Sequence, residues 1–245
     1  MPNLDLQTWT ALAEIIGVNI VLSGDNAVVI ALAARSLPPA QQQKAVVFGS
    51  LAAIVMRIIL TIVAAKVLAL PWLRILGSAL LLWIGIKLLV PAEEGGAGAG
   101  ANSDGLGGGM VAAIRTILIA DLVMSLDNVI AVAAAAKGSI ALLIAGLAIS
   151  IPLIIFGSTV ILKLMDRFPV IITFGGALLG FVAGELLIGD AVISGWVNTT
   201  AGFLHYVAPA AGAVLVVIAG KWLAARVKIP SAVAPMVDLA GRDVE

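Results

Sequence analysis

The stretch Asn19–Asn26 (NIVLSGDN) lies inside a long apolar run, and it returns further along the chain as Asp121–Asn128 (DLVMSLDN). Both copies contain the phrase Ser-x-Asp-Asn, with Asp25 and Asp127 102 positions apart. An ionisable side chain inside a membrane span costs about 3 kcal/mol or more, so it marks a candidate functional site. Two matched copies indicate one site that is assembled from two halves of the chain.

The composition supports a membrane protein. Hydrophobic residues make up 62% of the 245 residues and charged residues only 11%, whereas soluble domains carry roughly 25% charged residues. The formal net charge of zero gives no reason to expect a nucleic-acid partner. Because the chain has no cysteine, disulfides and thiolate metal sites are excluded.

Seven segments are apolar over the length of about 20 residues that a membrane-spanning helix needs. We therefore predict an all-α membrane protein with seven transmembrane helices. The predicted spans are 11–34, 45–68, 70–90, 111–136, 139–163, 168–188 and 203–225.

A second similarity between the two halves indicates an internal repeat. Segment 75–89 (ILGSALLLWIGIKLL) resembles segment 173–187 (TFGGALLGFVAGELL), 98 positions later. Each repeat would hold three spans, and an odd number makes the second repeat cross the bilayer in the opposite sense. Inverted repeats of this kind place their binding site near the bilayer midplane. The predicted divisions are a first three-helix repeat at 1–90, a glycine-rich cytoplasmic linker at 91–110, a second inverted repeat at 111–190, an outer loop with the seventh helix at 191–226, and a cytoplasmic tail at 227–245.

The distribution of basic residues predicts the orientation. Nine Lys and Arg residues flank the spans on the side of the C-terminus, and three flank them on the other side. Because basic loops stay in the cytoplasm, we expect the C-terminus and the linker inside and the N-terminus outside.

Polar residues within the spans are candidate ligands for a cation. Carboxylate and amide oxygens suit hard divalent ions, and a chain with one histidine and no cysteine favours manganese, calcium or magnesium over zinc, copper or nickel. On a helix, Asn19, Ser23 and Asn26 share one face. The candidate metal ligands are Asp25, Asn26, Asp127, Asn128, Asp121 and Glu185, and the supporting residues are Asn19, Ser23, Ser125 and Arg57.

Structural explanations compete with the functional one at several positions. Asn and Ser side chains can join helices, with about 1 kcal/mol per contact. The ligand role is weaker for Asp121 than for Asp25 and Asp127, because Asn19 stands at its position in the other copy. The alternative for Asp121 is a buried pair with Arg57. Glu185 lies near the outer interface, where it can be solvated, and Asp190 lies at a span end, where it is expected to face headgroups.

At these residues the chain resembles the TerC family of integral membrane proteins, in particular its short YjbE-like bacterial members. The resemblance rests on Gly24–Ala34, Ala120–Val129, Ser150–Ser158, Arg167–Pro169 and Gly184–Glu185. It implies a seven-span fold related to the lysine-exporter superfamily, in the inner (plasma) membrane of a bacterium. It also implies export of divalent metal, chiefly manganese.

Together these observations predict an exporter of Mn²⁺, with Ca²⁺ as a second candidate cargo, rather than an enzyme. Asp25 and Asp127 would bind the ion from opposite repeats, with Asn26 and Asn128 as neutral ligands. Asp121 and Glu185 would be secondary ligands or proton carriers. We expect no permanently bound cofactor and no nucleic-acid partner. The expected partners are the lipid bilayer and the ion, and a homo-oligomer is compatible with the sequence.

Two other functions remain open from the sequence. Some relatives in the family are linked to the assembly or metal loading of other membrane or exported proteins, and this chain could do the same without transport. A tellurium-resistance type of exporter, or an amino-acid exporter, would use the same scaffold. An anion would need basic residues near the midplane, where the sequence places only Arg57.

Overall fold

The computed structural model describes residues 16–17, 24–67, 70–91, 108–135 and 140–227, and these residues form an all-helical bundle. The prediction of an all-α protein is confirmed. The helices in this part of the chain are α1 (Gly24–Ala34), α2 (Pro39–Val67), α3 (Leu73–Leu89), α4 (Gly108–Ala135), α5 (Ile140–Arg167), α6 (Val170–Ile188), α7 (Ser194–Thr200) and α8 (Leu204–Arg226).

Five of the described helices, α2, α4, α5, α6 and α8, are long and apolar enough to cross a membrane. Helix α3 is also apolar but has 17 residues. Helix α1 covers the last 11 residues of the predicted span 11–34, of which residues 16–17 are also described. Large apolar side chains face outward, among them Phe156, at 68% exposure, and Phe174, at 66%. A helix that is apolar on all sides is typical of a membrane span, so the bundle is suited to lipid on its outer surface.

Several helix ends differ from the predicted spans, and one described helix was not predicted; α5, for example, ends at Arg167 rather than at 163. Helix α2 begins at Pro39, six residues before the predicted span at 45. The prediction was based on an apolar run, and the first turns of α2 are polar. Proline is favoured at the first position of a helix, where its missing N–H leaves no bond unmade. The short helix α7 lies within the predicted outer loop and was not expected. Most of the predicted linker and tail lies outside the described residues.

Helix α1 is the most enclosed helix of the bundle. Residues 29–34 are all buried, at 4% exposure or less, and α1 packs against α2, α4, α5 and α6. Other extensive contacts join α2 to α4, α3 to α6, and α8 to both α3 and α6. Asp25 and Asn26 therefore lie in the first turn of a helix that is surrounded by four others.

Glycines bring α6 and α8 into backbone contact. A Cβ atom placed on Gly180 would overlap the carbonyl of Gly212, and one on Gly184 would overlap the carbonyl of Ala208. Small residues spaced by four allow helices in membranes to approach this closely. The glycines of α6 therefore determine how closely α8 packs against α6.

Helix α3 is held at both ends by side chains from other elements. At its N-terminus, Asp190 accepts hydrogen bonds from the backbone N–H groups of Arg74 at 3.1 Å and Trp72 at 3.3 Å. At its C-terminus, Arg35 donates to the carbonyl of Leu88 at 3.0 Å. A carboxylate at the N-terminus and a guanidinium at the C-terminus both complement the helix dipole.

The position of Asp190 corrects the sequence prediction that this residue faces headgroups. Its side chain is only 1% exposed. Burial favours the neutral form, but hydrogen bonds from the backbone N–H groups of Val192, Trp72, Ile75 and Arg74 outweigh burial and lower the pKa of Asp190 from its usual value. The carboxylate is therefore a structural cap for α3, supplied by the loop after α6.

Candidate functional site

A buried network of charge lies between α2 and α4. The Arg57 guanidinium pairs with Oδ1 of Asp121, and the two side chains are 2% and 7% exposed. Nε of Arg57 donates to Oγ of Ser125 at 3.0 Å, and Oγ of Ser125 donates to Oδ2 of Asp121 at 3.3 Å. Both carboxylate oxygens of Asp121 therefore have hydrogen-bond partners within the protein.

The sequence builds this network from simple helix geometry. Asp121 and Ser125 are four residues apart on α4, so they lie on the same face one turn apart. Arg57 lies near the middle of α2, which packs along α4. Of the two explanations that the sequence left open for Asp121, the structure shows the buried pair with Arg57.

For a buried ion pair, removing one partner destabilises the protein far more than replacing both partners by apolar residues. Replacing a buried ion pair by apolar residues is often neutral, whereas removing one partner costs about 3–5 kcal/mol because a buried charge is left alone. Stability alone therefore does not explain why a membrane protein keeps this arginine. A charge that is maintained at the centre of a bundle is more simply explained by function.

Asp25 lies beside this network. It is in the first turn of α1, is partly exposed, and accepts a hydrogen bond from the backbone N–H of Asn26 at 2.8 Å. Helix α1 packs against both α2 and α4, the helices that carry Arg57 and Asp121. The side chain of Asn26 is buried, at 3% exposure. Helices α1, α2 and α4 thus bring two acids and one base close together.

The other predicted site residues are placed differently or lie outside the described part. Asn128 is half-buried on α4, and Glu185 is exposed on α6. Asp127 is on α4, but its side chain is outside the described part, as are Asn19 and Ser23. Among the described side chains, His, Asp and Glu residues form no group of three that could hold a metal. The metal site with Asp127 as a ligand therefore stays a prediction.

Ser50 is a buried polar residue that was not predicted from the sequence. Ser50 is 1% exposed, and its hydroxyl has no hydrogen-bond partner within the described residues. A signal for it exists, because Ser50 and Arg57 are seven residues apart and lie on one face of α2. By contrast, the buried hydroxyls of Ser150 and Ser158 bond to carbonyls of their own helix, as serines in apolar helices commonly do.

Apolar helices around a buried arginine–aspartate pair define a multi-pass integral membrane protein with an internal charged site. The chain belongs to the integral membrane protein TerC family, whose family model matches residues 4–228. This confirms the resemblance seen in the sequence.

Two relatives from Bacillus subtilis (strain 168) are similar over most of the chain. The uncharacterized membrane protein YjbE is 41% identical over 184 residues, which cover 75% of this chain and 82% of that protein. The uncharacterized membrane protein YceF is 28% identical over 183 residues, which cover 73% and 71% of the two chains. No solved structure matches the chain.

Proposed function

We propose that this protein exports divalent cations, Mn²⁺ first among them, through a site at the centre of its helical bundle. The observation that carries the proposal is the buried Arg57–Asp121 pair among apolar helices, against which α1 packs with Asp25 in its first turn. A charged cluster at this depth is costly, and in membrane proteins it marks the path of an ion or proton.

The sign of the charge favours a cation. Arg57 is already paired with Asp121, so Asp25 adds negative charge to a neutral pair, and Asp127 would add a second. An anion exporter would need a basic group available to its cargo, and the arginine near the midplane is engaged. Oxygen donors in a chain without cysteine favour Mn²⁺ over Zn²⁺.

The helix contacts support the proposal of two inverted repeats, α1–α3 and α4–α6, followed by a last helix. Exchanging the repeats turns the α1–α5 contact into α4–α2, and the α3–α4 contact into α6–α1. It leaves the contacts α1–α4, α2–α5 and α3–α6 unchanged. All of these contacts are present, whereas the α1–α2 and α5–α6 contacts have no counterpart of similar extent among the described residues. A seven-span protein built in this way brings α1 and α4, with Asp25 and Asp127, to the interface of the repeats.

Three hydrogen bonds support the proposed orientation. The bond from Arg35 to the Leu88 carbonyl brings the C-terminal ends of α1 and α3 to one face. The bonds from Trp72 and Arg74 to Asp190 bring the start of α3 and the end of α6 to the other. The first face carries more basic residues, so it would be cytoplasmic, with the N-terminus outside a bacterial inner membrane.

In this mechanism Asp25 and Asp127 bind the ion, and Asn26 and Asn128 supply neutral oxygens. Glu185 is exposed on α6, which suits a proton carrier at the edge of the path better than a ligand. A proton-coupled cycle is compatible with acids that exchange a metal ion for protons.

The test is the manganese content of cells with and without the protein, together with the variants Asp25→Asn and Asp127→Asn at matched membrane levels. Each variant keeps the side-chain shape and removes one charge, so we expect either to nearly abolish export. The matched control is Asp166→Asn, because Asp166 is an exposed carboxylate at the end of α5, and it should export like the parent.

Two outcomes would contradict the proposal at different levels. Equal manganese content in cells with and without the protein would overturn the exporter and leave the assembly or metal-loading function as the better explanation. Normal export by Asp127→Asn, with Asp25→Asn inactive, would disprove a site shared equally by the two repeats.

A further inference from the structure

The contacts of Arg57 point to a specific role for this residue in the proposed transport. We propose that Arg57 is a positioning residue: it is a permanent internal counter-ion that neutralises Asp121, and it thereby sets the charge that the ion encounters. This inference rests on the proposed function, but part of its test is independent of transport.

The hydrogen bonds leave Asp121 little capacity to bind a metal. Its Oδ1 is paired with Arg57, and its Oδ2 accepts from Ser125 at 3.3 Å. Ser125 also accepts from Nε of Arg57 at 3.0 Å, which closes a ring of three side chains. At 2% and 7% exposure, water cannot easily replace these bonds. Asp25, in contrast, is partly exposed, and its carboxylate accepts a hydrogen bond from the neighbouring backbone N–H of Asn26.

The two halves of the chain differ at this pair. Asp25 and Asp127 occur in both copies of the repeated phrase, whereas Asn19 stands in the first copy where Asp121 stands in the second. Helix α5 occupies in the second repeat the place of α2 in the first, and its segment 150–158 contains no ionisable residue. Asp121 and Arg57 are thus both present at the α2–α4 contact. The corresponding contact between α5 and α1 has neither an acid at the position of Asp121 nor a base at the position of Arg57. Asp121 and Arg57 therefore occur together in one repeat, outside the pattern that the two repeats share.

The consequence is a match between the site and the charge of its cargo. Asp25, Asp121 and Asp127 carry three negative charges, and Arg57 carries one positive charge, which leaves two. Two negative charges balance a divalent ion. Without Arg57 the site would hold one charge too many and would retain the ion. Without Asp121 the uncompensated arginine would repel it.

The test compares Arg57→Met, Asp121→Asn and the double variant Arg57→Met/Asp121→Asn. We measure Mn²⁺ affinity with purified protein and Mn²⁺ export with the same protein in liposomes. A unit charge at roughly 10 Å from a divalent ion, at an effective dielectric constant of about 20, changes affinity by at least about tenfold. We therefore expect Arg57→Met to bind Mn²⁺ at least about tenfold more tightly than the parent, and Asp121→Asn at least about tenfold more weakly. Both should export poorly.

The double variant restores the net charge and should return affinity and export towards the parent. A purely structural role for the pair would not move the two affinities in opposite directions. The control is Arg115→Met, which removes an exposed positive charge from the same helix as Asp121, and it should bind like the parent. Arg57→Lys keeps the charge but loses the fork of donors, so it should bind Mn²⁺ within about threefold of the parent if charge is what matters.

The outcomes separate this inference from the proposed function. A folded double variant that binds no Mn²⁺, while the parent binds and exports it, would show that Asp121 is a ligand and would overturn the inference alone. A parent that neither binds nor exports Mn²⁺ would overturn the proposed function. In that case thermal unfolding still tests the pairing, because each single variant should melt below both the parent and the double variant. Equal melting of single and double variants would overturn the inference.

Discussion

Asp25 and Asp121 are the same residue type in two different environments. Asp121 is enclosed and bonded to Arg57 and Ser125, whereas Asp25 lies partly exposed in the first turn of α1. A carboxylate with both oxygens occupied acts as a structural charge, and one that keeps access can exchange partners. The difference in environment, rather than residue type, separates the two proposed roles.

The capping of α3 by Asp190 leads to a prediction about pH. The pKa of Asp190 is lower in the folded protein than its usual value, so the ionised form contributes stability above the usual carboxyl range. This contribution is lost as the pH falls through the folded pKa. We expect Asp190→Asn to be less stable than the parent by about 1–2 kcal/mol at neutral pH. Thermal unfolding in detergent should show the difference shrinking as the pH is lowered.

The exposed Asp166 provides the control for this experiment. Asp166→Asn changes the same chemical group at a surface position, so its stability should follow that of the parent at each pH. A constant difference between Asp190→Asn and the parent from neutral to acidic pH would contradict a role for the charge. It would leave only the hydrogen bonds as the cause.

The residues of the site could be proposed from the sequence, but their pairing could not be decided. The repeated phrase identified Asp25 and Asp121 through their apolar surroundings. Arg57 and Asp121 are 64 residues apart in the sequence. Their pairing depends on the register in which α2 packs against α4. That register is set by packing of the whole bundle, so the sequence left both a metal ligand and an ion pair open for Asp121.

At the scale of elements, close contact of α6 and α8 leads to a second prediction. In Gly184→Ala the new methyl group would overlap the backbone of α8, and backbone cannot move aside as a flexible side chain can. Alanine favours a helix over glycine by up to about 1 kcal/mol, but overpacking costs about 1–3 kcal/mol. We expect a lower melting temperature for the purified protein.

The control for this prediction is Gly195→Ala in α7. A Cβ atom on Gly195 has no neighbour within 4 Å among the described residues, so this change should leave the melting temperature unchanged or slightly raised. If Gly184→Ala melted at or above the temperature of the parent, the backbone contact of α6 and α8 would not be tight in solution.

The elements themselves were predicted to different degrees. Apolar length located α2, α4, α5, α6 and α8, because membrane spans need a continuous apolar run. The same criterion misplaced the start of α2, whose first turns are polar, and overlooked α7, which is short and lies outside the runs. The cap that Asp190 forms on α3 joins residues more than 110 positions apart, and a sequence pattern carries no information about such a contact.

At the scale of the whole molecule, orientation is the property that gives an exporter its direction. The ends of α1 and α3 lie together through the Arg35–Leu88 bond, and Lys87 lies over Trp83 in the last turn of α3. At the end of α8, Arg226 lies over the ring of Trp222 at 3.6 Å. Basic residues paired with aromatic rings are typical of the interface between membrane and water. Under the proposed topology these ends all lie at the cytoplasmic face.

We therefore predict that the C-terminus is cytoplasmic, and reporters fused after residue 245 can test it. A fluorescent protein that matures only in the cytoplasm should be fluorescent there, and alkaline phosphatase, which is active only outside, should be inactive. Fusions after Ile193, in the loop that follows α6, should give the reverse result, because this loop caps the opposite end of α3. Active phosphatase at residue 245 would invert the topology. The protein would then face the wrong way for export from the cytoplasm. Arg35, Lys87 and Arg226, at the C-terminal ends of α1, α3 and α8, would lie outside, against the positive-inside rule.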